Sequence, residues 1–173
     1  IYAIAELYRY QGDRALLATL WPRVEAAVRY MDELRLSERT EANRLVNPAF
    51  YGLMPASISH EGYSAKPMHS YWDDFWALRG YKDAVEIARW LGREADATRI
   101  AASRDQFSTD LHASLRAATA RHGIDYLPGA AELGDFDATS TTIALNPGGE
   151  QGRLPAGLLH NTFERYWNEF VER

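Results

Sequence analysis

The chain has 173 residues, 46% of them hydrophobic and 12% aromatic, with a net charge of −5 and no cysteine. That length supports one domain, residues 1–173, with a real core, and the absence of cysteine excludes disulfides, thiolate zinc sites and thiol nucleophiles. No Lys/Arg cluster runs along the sequence, which argues against nucleic acid or an anionic membrane as partner, and no apolar run reaches the ~18 residues a membrane span needs.

The opening "IYAIAELYRY" is already in a helical pattern, and so is the closing "FERYWNEFVER". A piece of a longer protein is therefore expected, with any signal peptide outside it; a periplasmic or secreted location stays open. Residues 14–34 place Leu17, Leu20, Trp21, Val24, Val28, Met31 and Leu34 at three- and four-residue steps, which predicts an amphipathic helix. Residues 70–92 leave almost no polar face in their first half, so a helix buried on several sides is expected. A further amphipathic helix is predicted over about 94–120, on a stripe of Ile100, Phe107, Leu111 and Leu115. The last starts after Pro155 and carries Leu159, Phe163, Tyr166, Trp167 and Phe170. No segment shows a convincing period of two, and "TSTTIAL" suits a short helix, so the fold class is all-α.

"AELYRYQGD" (5–13) and "VEIARWLGR" (85–93) echo each other at an offset of 80. Each ends in a glycine at the expected helix C-terminal position and is followed by an amphipathic helix. The repeated unit is a helical hairpin, and long loops over 35–68 and 121–136 separate the hairpins.

Chemistry-bearing residues concentrate in "ISHEGYSAKPMHSYWDDFWALRG", residues 58–80. Ser70-x-x-Asp73 matches a capping box, which would explain Asp73 structurally and favour its ionised form. Burial among Trp72, Phe75 and Trp76 would instead hold a proton on, as a general acid requires. Asp74 has no capping explanation, and two adjacent acids among aromatics are costly to bury unpartnered. The preceding loop adds His60, Glu61, Tyr63 and His69. "HEGY" lacks the second histidine of the zincin motif, so the two histidines read as loop hydrogen-bonding groups and neither metal nor cofactor is expected. Aromatic rings interleaved with carboxylates suit sugar recognition: rings stack on pyranose faces while carboxylates and imidazoles take hydroxyls. Asp135-x-Asp137-x-Thr139 formally matches an aspartyl-phosphate motif, but "LPGAAELG" before it is no strand. Asp137 reads as an N-cap for 138–145, which leaves Glu132 and Asp135 as further site candidates.

With those residues in view, the chain resembles the (α/α)6-toroid or six-hairpin glycosidases, the group of trehalases, glucoamylases and debranching glucosidases. "YRYQGDRALLATLWPRVEAAVRYMDELR" is similar to their Gly-Asp turn and outer helix, and "HSYWDDFWALRGYKDAVEIARWLGREADATRI" to an inner helix, turn and outer helix. The resemblance implies about half of a toroid. It also implies hydrolysis of an oligosaccharide or polysaccharide, with the remainder of the same toroid as the structural partner. It puts the general acid on Trp72-Asp73, with Asp74 the fallback, and the sugar subsite on Trp72, Trp76, His60, Glu61, Tyr63 and His69. It implies a second carboxylate beyond Arg173. A non-catalytic carbohydrate-binding or scaffold module on the same toroid is the alternative, and a polysaccharide lyase the third reading.

Overall fold

The computed structural model describes residues 1–60 and 62–171, and within these the regular structure is helical, with three isolated β-bridges. Seven helices follow in order among the described residues: α1 (Tyr2–Gln11), α2 (Arg14–Glu38), α3 (Glu41–Val46), α4 (Tyr71–Trp90), α5 (Glu94–His122), α6 (Ala138–Leu145) and α7 (Ala156–Val171). The all-α expectation holds. No helix of the described residues is long and apolar enough to cross a membrane.

Local chemistry sets the boundaries. The Asp13 carboxylate accepts the Leu16 N–H at the start of α2, Thr40 Oγ1 accepts the Asn43 N–H for α3, and Asp137 accepts the Thr139 and Ser140 N–H groups for α6. The two echoed glycines end their helices as expected. Gly12 sits at φ 70°, and its N–H donates to Tyr8 O at 2.8 Å. Gly92 sits at φ 75°, where its N–H reaches Arg89 O and the Arg93 N–H reaches Ala88 O, the two bonds of a Schellman turn. Each glycine leads directly into the next long helix.

Contacts give the directions. Tyr2 meets Trp76 and Arg9 meets Asp83 and Glu86, so α1 and α4 run parallel. The backbone before α6 pairs with that before α4, and the backbone after α6 meets Arg79 and Lys82, so α6 also runs parallel to α4. Tyr71 bonds Ser114 while Tyr81 packs on Phe107, which makes α5 antiparallel to α4. Arg93 lies over Trp21 while Asp32 accepts the Tyr81 hydroxyl, so α2 is antiparallel as well. The result is a set of three parallel helices, α1, α4 and α6, each followed by a longer helix, with α2 and α5 returning the other way.

Helix α4 is the centre. It touches α1, α2, α5 and α6, and twelve of its residues are buried, from Tyr71 to Ala88. The α2 stripe buries Leu17, Trp21, Val24 and Val28, and the α5 stripe Ile100, Phe107, Leu111 and Leu115. The stripe on α7 behaves differently. Tyr166, Trp167 and Phe170 are exposed and Thr162 is the buried residue of that helix, because no described element packs over its outer face.

Candidate functional site

The loops 47–70 and 123–137 converge on the N-terminal end of α4. Ser57 and Met68 exchange both backbone hydrogen bonds, at 2.9 and 3.0 Å, closing the first loop on itself. The Tyr71 N–H donates to Gly129 O and the Ala131 N–H to His69 O, which stitches the second loop to the start of α4. Gly129 is required there: a Cβ would fall 2.7 Å from the Asp137 Cβ.

Within this frame a cleft of about 400 Å³ opens beside the first two turns of α4. Met54, Ser57, Trp72, Asp73 and Trp76 are among the residues that line it, together with Leu34 of α2. His60 stacks on Trp72 at 4.4 Å, Trp72 meets Trp76 edge-on at 5.8 Å, and Trp76 meets Tyr2 at 5.3 Å. These rings form a continuous aromatic flank. The buried Trp76 Nε1 has no hydrogen-bond acceptor among the described residues.

The capping-box expectation is corrected. Ser70 is the N-cap residue, yet its hydroxyl makes no capping bond and lies 3.0 Å from Ser59 Oγ. The Asp73 carboxyl accepts the Ser57 hydroxyl at 2.5 Å, and Ser59 Oγ lies 3.1 Å from its other oxygen. Two hydroxyls from the loop outcompete the local backbone amide, so Asp73 turns outward to the cleft. Ser59 holds φ 52°, a left-handed conformation disfavoured for a residue with a Cβ; this strained residue is one of the two contacting Asp73.

Asp74 lies behind the cleft wall, fully buried. Its Oδ1 accepts the Met54 N–H at 2.8 Å, and its Oδ2 has no partner among the described residues. Burial pushes its pKa up to about 8; the Met54 amide and His69 pull against this, while Asp73 and Glu132 add to it. Burial therefore favours the protonated form of Asp74.

His69 and Glu132 form a second buried pair. The His69 ring stacks on Phe50 at 4.4 Å, its Nδ1 lies 2.6 Å from Glu132 Oε1, and its backbone N–H donates to Glu132 Oε2. Burial lowers the His69 pKa, but the hydrogen bond and charge of Glu132, helped by Glu38 and Asp74, outweigh it and leave it raised. Burial raises the Glu132 pKa, and the bond from His69 more than reverses that. The shifts of both groups favour an imidazolium beside a carboxylate, joined at 2.6 Å. His69 Nε2 is 3.5 Å from Glu38 Oε2, a charge contact without hydrogen-bond geometry.

The ten candidate residues thus divide. Trp72, Asp73 and Trp76 share the cleft, and His60 joins them through its stack on Trp72. Asp74, His69 and Glu132 stand behind it and hold the loops to α4. Tyr63 donates to Asp135 Oδ2 at 3.1 Å, and Asp135 Oδ1 accepts the Ala130 N–H, so these two brace the loops against each other. Glu61 lies outside the described residues. Ser57, Ser59 and Glu38 belong to the site, and nothing in the sequence pattern marks them, since serines in a turn and a glutamate at a helix end are ordinary there. No group of three or more His, Asp or Glu among the described residues is arranged to hold a metal ion. In comparison with known proteins, no family, no curated protein and no solved structure matches this chain.

Proposed function

We propose that this chain forms part of an (α/α)6 toroid and contributes the general acid of a glycoside hydrolase, with Asp73 as that acid. The observation that carries the reading is the cleft at the N-terminal end of α4, which Asp73 lines together with Trp72 and Trp76. An aromatic flank beside one accessible carboxyl suits a pyranose ring and the glycosidic oxygen it bears. Parallel inner helices with antiparallel returning partners agree with a toroid built from hairpins. Asp73 would donate a proton to the leaving oxygen, and a second carboxylate on the remainder of the toroid would act on the opposite face of the sugar. His69, Glu132 and Asp74 position α4 against the two loops and do not touch the substrate.

Hydrolysis of oligosaccharides by the full-length protein is the test. Asp73→Asn is expected to lower kcat by about 10²–10⁴-fold, the range of general acid catalysis, with an unchanged circular dichroism spectrum. Turnover near wild type in that variant would remove Asp73 from the chemistry.

One observation favours a second reading, a carbohydrate-binding module without turnover. Asp73 is the one acidic residue lining the cleft among the described residues. Trp72 and Trp76 fluorescence would then respond to sugars while product analysis stays blank.

A further inference from the structure

Toward the C-terminal half of α4 the surface changes character. Arg79, Lys82, Glu86 and Arg89 recur at three- and four-residue steps and so share a face. With Arg104 of α5 and Arg153 of the α6–α7 connection they line a second cleft, of about 250 Å³. Five cations and one carboxylate thus line the cleft, in a chain whose net charge is −5, while Asp83, Glu150 and Asp105 pair with three of the cations from outside the lining. The fold assembles here the basic cluster that no stretch of the sequence contains.

Three of the cations are held in place. Arg79 binds Asp83 at 2.5 and 2.8 Å and donates to Pro147 O, Lys82 donates to Gly148 O and pairs with Glu150, and Arg104 pairs with Asp105. Asp83 and Glu150 are fully buried beneath, so they anchor cationic heads whose flanks remain partly open. Arg89 and Arg153 are different: both are exposed, and neither has a carboxylate partner among the described residues. Arg89 is the echo of Arg9, which is bound by Glu6, Asp83 and Glu86. The macrodipole at the end of α4 accounts for one cation there, but not for Arg153 in a turn outside any helix.

We infer that this cleft binds the phosphoryl group of a small phosphorylated molecule. The unpaired guanidinium forks of Arg89 on α4 and Arg153 on the α6–α7 connection, with the partly open heads of Arg79, Lys82 and Arg104 beside them, match a compact anion with several oxygens, whereas a single carboxylate would occupy only one fork. Among the described residues no aromatic side chain lines the space to stack a base, which sets a nucleic acid strand apart from the expected ligand. The site is independent of Asp73 and of hydrolysis.

Calorimetric titration of the protein with inorganic pyrophosphate at low salt tests the inference, with sodium acetate as the comparison anion. Saturable one-site binding is expected, weakened by added salt and at least about tenfold tighter than acetate, given the fork argument. Arg89→Ala with Arg153→Ala should weaken it at least about tenfold, as loss of two charge-assisted contacts implies. Both side chains are exposed, so the fold should survive; Arg153→Ala alone, in a turn, is the safeguard and should also weaken binding. Glu86→Gln should tighten it. Absence of saturation, acetate binding as well as pyrophosphate, or unchanged affinity in the arginine variants would overturn the assignment.

Discussion

At the scale of single residues, Asp73 and Asp74 are neighbours with opposite environments. One side chain opens to a cleft lined by two tryptophans; the other is fully buried, and burial pushes its pKa up to about 8. The buried acid has a measurable signature. An Asp whose folded pKa exceeds its unfolded value binds more protons folded than unfolded between the two, so stability falls as pH rises across that interval. For Asp74 the window runs from the ordinary 3.8 to about 8. His69 acts in the same direction above its ordinary 6.5, because its raised pKa favours the folded state only while the ring stays protonated. Glu132, lowered, works oppositely and matters only below 4.5. Asp74→Asn, a neutral isostere, should therefore cost little at pH 5 and flatten the decline toward pH 8. The slope removed is up to about 1.4 kcal/mol per pH unit. Urea denaturation at several pH values measures it, and parallel pH profiles for variant and wild type would contradict the buried-acid account.

At the scale of elements, much was legible and the reasons are physical. The long helices declare themselves because their apolar residues recur with the helical period, and α4 reads as buried because it lacks a polar face. Asp74 reads in the sequence as the acid that capping does not explain, and the structure places it fully buried with its Oδ1 on the Met54 N–H. The capping box failed because its real competitors, Ser57 and Ser59, come from a loop whose path has no periodic signal. The roles of Glu132 and Asp135 were hidden for the same reason: each depends on a contact more than sixty residues away. The echoed turns were legible through glycine, and they carry a prediction. Gly92 has φ 75° and no neighbour closer than the Arg14 guanidinium at 3.8 Å, so a methyl group there meets space but a strained backbone. Gly92→Ala should cost about 1–2 kcal/mol, the penalty for an L-residue in the left-handed region. Gly92→Asn should recover part of it, because Asn tolerates that region better. Equal losses for both, by denaturant midpoint, would place the cause in packing instead.

At the scale of the molecule, the two edges of the parallel set α1, α4, α6 have a common property. On one side Leu7, Tyr10 and Leu16 are exposed around α1 and α2, and on the other Tyr166, Trp167, Phe170 and Val171 are exposed on α7. The α7 residues recur at three- and four-residue steps, the spacing of a face made for burial against another helix. In the toroid reading further hairpins cover both edges; for the 173-residue chain alone the same apolar area is an attractive surface. That chain is expected to self-associate with rising concentration, and Trp167→Ser with Phe170→Ser to return it to a monomer with its helix content unchanged. Sedimentation velocity gives the first answer and circular dichroism the second. A wild-type chain monomeric at high concentration would mean that this face needs no cover, and the proposal that more of a toroid lies against α7 would lose its main physical support. Self-association through the α1–α2 edge alone would leave the double variant associating as the wild type does. The two edges can therefore be separated by that one substitution pair.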